Sequence, residues 1–309
     1  MGMTNSDMEL LWENPWIAHT SAREIARRLG ICRRRAAYLK GRSEGRIEHG
    51  RRTRRRQEGL ANILVVGDAH FEPGQDMSRA AWLGRFIAQN LGQDDHVVII
   101  GDWHGLTSIC SHNNQRQREG HRLVDDLAAG NDAIDIMMSQ IGPLNRPMMY
   151  FTTGNHEIRL DRLAQERPEY DGVAGLNLLD WEKHGVEVIP FLEPLRIEGW
   201  RFQHYLPHGG GRAIAGVNAP RNMLKRVRHS ESVVVGHSHL LQMETSSSRV
   251  GGRKWGISVG CYFDHQEVYA GTDSNAAWWA GLVLIENARH GDGSIRCITL
   301  DDVQRAYSD

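Results

Sequence analysis

Four short apolar runs, each closed by a glycine and a polar side chain, constrain the fold of this chain more than any other feature. The runs are ILVVG, HVVIIG, MMYFTTG and SVVVG, and they are followed by Asp68, Asp102, Asn155 and His237. Apolar runs of this length are typical of strands that are buried on both faces of a sheet. Polar residues directly after such strands predict a site beyond their carboxyl ends.

Strand-type and helix-type patterns alternate in the first part of this region. Helix patterns cover Ser78 to Leu91 and roughly Gly120 to Ile141, between the first three apolar runs. This order predicts an α/β fold with parallel strands. After Gly185 seven strand-type segments crowd together, interrupted by a helix near Asn218 to His229. We therefore expect a second sheet facing the first, in a four-layer α/β/β/α sandwich of two mixed sheets.

Residues 1–45 have the pattern of a small helical module. Ser21 begins a helix with a capping box, and Gly30 ends it. A second short helix follows, so the segment resembles a helix-turn-helix unit that presents Arg33, Arg34 and Arg35 to phosphates or base edges. The alternative is a helical hairpin that packs on the main domain or on another subunit.

Positive charge is concentrated before the main domain, which we place at residues 60–309. Residues 21–56 contain 14 Arg and Lys against 3 Asp and Glu, a balance of +11 in a chain whose net charge is −1. Residues 46–59 have little apolar content and predict a flexible basic linker. Arginine this dense favours a nucleic-acid partner over the alternative, a solvated surface helix.

Cysteine spacing and hydropathy indicate in which cellular compartment the protein is expected. The four cysteines, Cys32, Cys110, Cys261 and Cys297, form no CxxC pair, so we expect neither a disulfide framework nor a thiolate zinc site. There is no run of 18 apolar residues, and Met1 to Trp16 lacks the order of a signal peptide. We expect a cytoplasmic protein that binds no membrane.

The spacing of the polar residues explains how they could bind metal ions. In extended Asp-x-His and His-x-His segments alternate side chains point to one side, so Asp68 with His70, and His237 with His239, can each contact one ion. A carboxylate such as Asp102 can bridge two cations. Mixed oxygen and nitrogen donors favour Mn, Fe, Zn or Ni over Ca. Two such ions about 4 Å apart can hold a phosphoryl group and activate water.

The motifs GDAH, GDWH, GNHE, a lone histidine and GHSH occur in this order. This set resembles the calcineurin-like metallophosphoesterase superfamily over roughly residues 60–300. Within it, GNHEIR, FQHY and the helical leader are most similar to enzymes encoded by phages and prophages. The resemblance implies the metallo-dependent phosphatase fold and hydrolysis of a phosphoester with two divalent transition-metal ions, manganese being the favoured metal.

The resemblance also implies a role for each motif residue. The first metal would be held by Asp68, His70, Asp102 and His239. The second would be held by Asp102, Asn155, His204 and His237. Asp102 and His156 would be the catalytic residues, with His156 protonating the leaving oxygen or stabilising the transition state.

Two departures from the family pattern leave alternatives open. Gly105 stands where the family often has a second acid, so His104 is a candidate extra site residue. Both His204 and His208 follow the strand WRFQ; His204 matches the FQHY form and is favoured as the ligand, which leaves His208 as a candidate substrate contact or a surface histidine. Arg159 is a further candidate, because it could reach a phosphate; the alternative is a salt bridge on the following helix.

The basic leader favours DNA or RNA as the substrate, since it would hold a polyanion near the metal domain. We therefore expect a nuclease or phosphodiesterase. A phosphomonoesterase or protein phosphatase is the alternative enzyme, although the GDxxDRG pattern of the latter is missing. A DNA-binding regulator with a structural phosphoesterase domain is the alternative outside enzymes; no expected ligand type is missing, which disfavours it.

Overall fold

The computed structural model describes residues 17, 21–31, 36, 40 and 60–308, with gaps at 112–113, 144, 171, 250 and 268–269. The chain divides into two compact units, Met1–Leu60 and Ala61–Asp309. The predicted nucleic-acid contacts Arg33, Arg34 and Arg35, and the predicted linker 46–59, lie outside the described residues. Their roles stay predictions.

In the described part of the first unit, helix α1 spans Ala22–Leu29, and Ala36 and Lys40 are also helical. The Ser21 side chain accepts a hydrogen bond of 3.3 Å from the backbone N–H of Glu24, as the capping pattern predicts. Gly30 ends the helix with a left-handed φ of 64°, which glycine adopts without steric cost. Ile25 and Ala36 pack together in a small apolar core.

The described part of the second unit contains two mixed sheets and seven helices. The strands are β1 (Ala61–Val66), β2 (His96–Ile99), β3 (Met148–Thr152), β4 (Glu187–Ile189), β5 (Leu195–Ile197), β6 (Trp200–Phe202), β7 (Ser232–Val235), β8 (Leu241–Ser248), β9 (Gly252–Val259), β10 (Gly281–Arg289) and β11 (Asp292–Thr299). The helices are α2 (Ser78–Asn90), α3 (Gln115–Arg118), α4 (Leu123–Ile141), α5 (Ile158–Glu166), α6 (Ala219–Arg226), α7 (Gly271–Ala277) and α8 (Leu300–Tyr307).

The first sheet has the order β11-β10-β1-β2-β3-β4, and the second has the order β5-β6-β7-β9-β8. Strands β1 to β4 are mutually parallel, as predicted, and β6, β7 and β9 are parallel in the second sheet. The strands after Gly185 are divided between the two sheets. Strand β4 pairs with β3, and β10 pairs antiparallel with β1, so that β4, β10 and β11 extend the first sheet.

Alternating side chains of the central strands fill different cores, as the four-layer prediction requires. In β1, Leu64 and Val66 belong to the core shared with α2 and α4, whereas Ile63 and Val65 belong to the core between the sheets. In β7, Val234 faces the same inner core, and its two neighbours pack against α6. Each such side chain contributes roughly 1.5–3 kcal/mol by burial. The α/β/β/α fold class is therefore confirmed.

None of the helices in the described part of the chain has the length and apolarity needed to cross a bilayer. The thiols of Cys110, Cys261 and Cys297 are free, the first two being buried.

Candidate metal centre

The segments that follow β1, β2, β3, β6 and β7 converge at one place. The Asp68 carboxylate accepts a hydrogen bond of 2.9 Å from the backbone N–H of His237, at the end of the second sheet. The Asp102 carboxylate accepts one of 2.8 Å from the backbone N–H of His156, in the next segment of the first sheet. These bonds join the carboxyl ends of parallel strands in both sheets, where the sequence predicted a site.

The first group of ligand atoms belongs to Asp68, His70 and His239. The Asp68 Oδ2 atom lies 2.9 Å from Nε2 of His239. The Nδ1 atom of His70 lies 2.8 Å from Oε1 of Glu267; in the neutral ring this contact makes Nδ1 the donor and leaves the lone pair on Nε2. This Nε2 atom is buried and has no hydrogen-bond partner among the described residues, as expected of an atom that a metal would bind.

The second group surrounds His204, with Asp102 and His237 as its other members. Nδ1 of His204 donates to the carbonyl oxygen of Ile100 at 2.8 Å, which directs Nε2 into the cluster. That Nε2 atom lies 2.7 Å from Oδ1 of Asn155 and 3.3 Å from Oδ2 of Asp102. An imidazole oriented by a carbonyl is typical of metal-ligating histidines.

The carboxylate of Asp102 also belongs to a third group, with His70 and His156. Its Oδ2 atom lies 3.9 Å from Nε2 of His70 and 3.7 Å from Nε2 of His156. Within each of the three groups the ligand atoms lie within 4.8 Å of one another. Imidazole nitrogens and carboxylate oxygens in this mixture fit divalent transition-metal ions, and the protein is a metal-binding one.

Burial and crowding shift the pKa values of the metal-free cluster. Burial acts to raise the pKa of Asp102, but the nearby imidazoles of His156 and His204 hold it well below its usual value. Burial acts to lower the pKa of His204, yet Asp102 raises it to about 9. Burial, together with the charge of His204, lowers the pKa of His237 to about 4. In the absence of metal, the cluster therefore holds protons on some of its imidazoles and none on its central carboxylate.

Four of these residues have a left-handed backbone, with φ of 43° at His70, 48° at Asp102, 66° at His237 and 57° at His239. Each such non-glycine residue costs roughly 1–2 kcal/mol. Clusters of this strain occur at functional sites, where the surrounding fold imposes them. The simple extended geometry expected for the Asp-x-His and His-x-His segments is therefore wrong, because the backbone turns at the ligands themselves.

Two glycines allow the backbone to approach the carboxylates. A Cβ atom on Gly236 would overlap Oδ1 of Asp68, and one on Gly154 would overlap Oδ1 of Asp102. Contacts this short cannot be relieved cheaply, since both carboxylates are buried. The glycine in front of Asn155 and the one in front of His237 are thus steric requirements of the site.

Glu157, the last residue of GNHE, is a fully buried carboxylate that sequence reasoning left without a role. Its Oε1 atom accepts backbone N–H groups from Trp103 at 2.8 Å and His104 at 3.0 Å. Its Oε2 atom accepts those of Asp102 and Gly154, each at 3.0 Å. One side chain therefore ties the GDWH segment to the GNHE segment.

His104 is not a substrate contact, which corrects the expectation from GDWH. Its ring is fully buried, its Nε2 atom lies 3.1 Å from Oδ1 of Asn131, and it packs directly on Gly130 of α4. Arg159, by contrast, lines the cavity above the cluster. Its Nη1 atom donates to the carbonyl oxygen of Gly105 at 3.1 Å.

The cavity above the cluster has a volume of about 600 Å³. His156 lines it with 12% of its side chain exposed. Trp278, at the end of α7, also lines it, with its ring edge-on to His239 at 4.4 Å. His208 is exposed and lines a different cavity, so that His204 alone of the two lies in the cluster.

Sequence reasoning also missed Glu267, which contacts His70. Its carboxylate, 14% exposed, lies 3.2 Å from Nε2 of His265, and both residues line the metal cavity. They follow an apolar sequence that runs through β9 and continues past its end at Val259 to the residues CYF. The rule that found the other motifs, a polar cluster after a buried strand, would have found this one.

Comparison with known proteins identifies relatives of this unit. The family model described as calcineurin-like phosphoesterase matches residues 61–285. The Gene 54 protein of Mycobacterium phage L5 is 29% identical over 234 residues, covering 72% of this chain and 88% of that protein. The Gene 54 protein of Mycobacterium phage D29 is 25% identical over 234 residues, with the same coverage of both chains.

Proposed function

We propose that this chain, which belongs to the calcineurin-like phosphoesterase family, hydrolyses a phosphodiester in or derived from nucleic acid. The family and the His/Asp cluster make it a metal-dependent phosphoesterase. The proposal adds the substrate class and the number of metal ions. The observation that carries the two-ion assignment is the position of Asp102, which belongs to two of the three groups of ligand atoms, and the substrate class rests on the charge of residues 21–56.

Two ions account for this grouping. Asp68, His70 and His239 would hold one ion, and Asn155, His204 and His237 the other, with Asp102 shared between them. Ions there would supply Lewis acidity toward a phosphoryl group and a nucleophile at neutral pH. Manganese is our first choice, and iron, zinc or nickel would suit the same donors.

His156 and Arg159 would act on the substrate in the cavity. Burial lowers the pKa of His156 well below its usual value, despite the attraction of Asp102, so the ring is neutral near pH 7. A neutral imidazole still carries one N–H, which can donate to a phosphoryl or leaving oxygen. Stabilisation of the transition state is therefore the role we assign to His156, in preference to proton donation. Arg159, held by its contact with Gly105, would bind a phosphate oxygen.

The basic leader supports a nucleic acid as the substrate. Residues 21–56, with their balance of +11, include a capped helix that ends in a glycine turn. Arg27 and Arg28 both pair with Glu24, which reduces the net charge available on α1 itself. The arginines from Arg51 to Arg56 have no acidic residue between them, and they carry most of the argument for a polyanion.

Metal analysis coupled to hydrolysis of bis- and mono-p-nitrophenyl phosphate tests the reaction. We expect two metal ions per chain and faster hydrolysis of the diester. Asp102→Ala should abolish turnover and metal binding, whereas Asp68→Ala should remove mainly one ion. Wild-type turnover and metal content in Asp102→Ala would contradict the two-ion assignment. Faster hydrolysis of the monoester would favour the phosphatase alternative. Hydrolysis of neither ester would favour the alternative of a DNA-binding regulator.

A salt titration tests the leader in the full-length chain. Replacing the five arginines between Arg51 and Arg56 by glutamine should weaken binding to a labelled duplex. The slope of log affinity against log salt concentration should become shallower by roughly 0.9 for each lost phosphate contact. Hydrolysis of the small diester serves as the control, because every proposed ligand lies after Ala61. Unchanged affinity and salt slope would leave the leader as a packing or assembly element.

A further inference from the structure

A second cavity in the phosphoesterase unit, of about 700 Å³, has a cationic lining. Lys225 and Arg226 belong to the last turn of α6, Arg228 follows the helix, and His208 comes from the glycine-rich loop after β6. Asn222 adds an amide. None of these residues lines the cavity above the metal cluster, so this is a separate feature of the surface.

The cations of this cavity are not neutralised within the described part of the chain. Lys225, Arg226 and Arg228 are exposed, and no ion pair joins them to a described carboxylate. Glu231, which follows them, is paired with two other arginines at 2.9 and 3.1 Å. Glu244, on the neighbouring strand β8, is paired with a different arginine at 3.0 Å. The cavity therefore presents positive charge to solvent.

Helix capping does not account for the whole cluster. Cations in the last turn of a helix interact favourably with its dipole, which explains Lys225 and Arg226. Arg228 lies beyond the helix, in a left-handed conformation with φ of 54°, and its N–H donates to the carbonyl oxygen of Lys225 at 3.0 Å. His208 comes from another segment. Holding the Arg228 backbone in this left-handed turn therefore costs about 1–2 kcal/mol.

The chain itself limits the distance between this cavity and the metal centre. His208 is four residues after His204, and four residues span at most about 14 Å. A stacked nucleic-acid strand rises about 3.4 Å per nucleotide, so this reach corresponds to roughly four nucleotides. The loop is held in place by hydrogen bonds from His208 N–H to the Arg212 carbonyl at 3.0 Å and from Ile214 N–H to the Leu206 carbonyl at 2.9 Å.

We propose that this cationic cavity binds the phosphate backbone of a nucleic acid a few nucleotides from the phosphoester at the metal centre. The inference rests on the proposed function, because it needs a polynucleotide substrate. Lysine and arginine contacts to phosphate carry no sequence information. The cavity would therefore favour long substrates over short ones without selecting a sequence.

The test is a triple variant of the full-length protein, Lys225→Gln with Arg226→Gln and Arg228→Gln. Its kcat/KM is measured on a fluorescent single-stranded dodecanucleotide and on a dinucleotide that is too short to reach the cavity. On a single strand, each phosphate contact contributes about 0.7 log units of affinity per log unit of salt. Losing three contacts should therefore lower the ratio of kcat/KM on the dodecanucleotide to kcat/KM on the dinucleotide by roughly 100-fold near 0.1 M salt. The loss should appear mainly in KM and should shrink as salt rises.

A matched variant removes three charges elsewhere on the same unit: Arg249→Gln, Arg289→Gln and Arg296→Gln, all exposed. It should keep the wild-type ratio of the two substrates. An equal effect of both triple variants, or an unchanged ratio in the cavity variant, would overturn the cavity proposal while polynucleotide hydrolysis by the wild type still stands. A wild-type protein that hydrolyses bis-p-nitrophenyl phosphate but neither oligonucleotide would overturn the substrate assignment and the cavity proposal together.

Discussion

Replacing Glu157 by glutamine tests whether one buried carboxylate holds the metal-binding loops together. The change keeps the size and shape of the side chain and removes one acceptor oxygen. In the wild type, each carboxylate oxygen accepts two backbone N–H groups at 2.8 to 3.0 Å. In Glu157→Gln, whichever way the amide turns, two of these N–H groups face an NH₂ group that cannot accept.

The magnitude follows from the two groups left unpaired. A buried donor without an acceptor costs about 1–3 kcal/mol, so two of them cost about 2–6 kcal/mol. Removing a buried charge offsets part of this loss. We therefore expect the free energy of unfolding to fall by about 2–4 kcal/mol. Because one of the two oxygens binds the Asp102 N–H, metal affinity should fall as well.

Urea unfolding of the metal-free protein, followed by tryptophan fluorescence, measures the effect. Trp103 and Trp181 are fully buried and provide the signal. The matched control is Glu166→Gln, the same chemical change at an exposed position on α5, which should leave stability within about 0.5 kcal/mol of wild type. A loss below about 1 kcal/mol in Glu157→Gln would refute the reasoning, since a single unpaired donor already costs that much.

Three further predictions concern the metal centre. Glu267→Gln should lower metal affinity about 10- to 100-fold in calorimetric titration, because the carboxylate orients His70; unchanged affinity would assign the contact no such role. His156→Ala should lower turnover by roughly 100- to 1,000-fold, as expected for the loss of one donor to the transition state, with metal content retained; loss of the metal as well would make it a ligand. In the metal-free protein the pKa values of His70 and His204 are raised to about 10 and about 9, so both imidazoles carry protons at pH 7.5. Metal binding should therefore release about two protons per chain and tighten as pH rises towards 9, which titrations in buffers of different ionisation enthalpy would detect or contradict.

The strand-end motifs were predictable because each depends on local sequence. A buried strand followed by glycine and a polar residue places Asp68, Asp102, Asn155 and His237 at the same edge without any knowledge of the rest of the chain. The same locality explains why β1, β2, β3 and β7 were found. Strand β8 was missed because its sequence, LQMETSSS, is largely polar, as suits the edge of a sheet.

The features that the sequence did not predict depend on contacts between distant parts of the chain. The burial of His104 is decided by Gly130 and Asn131 on α4, and a sequence pattern around GDWH contains no sign of them. The placement of β10 beside β1 depends on pairing across more than two hundred residues, for which alternating hydrophobicity has no signature. The contact of Glu267 with His70 joins residues that are 197 positions apart, so a local sequence pattern does not predict it either.

The hydrogen bond between Asp68 and His239 also has a consequence for how the protein is made. The two residues are 171 positions apart, and the bond forms only when β1 and β7 lie in their final sheets. Contacts this remote in sequence form late, after most of the chain entropy has been lost. When only β1 and β2 have emerged from the ribosome, the nascent chain therefore has some of the metal-binding residues but no assembled metal site. Metal loading therefore follows the assembly of both sheets, and a loaded chain is one that has completed this part of its folding.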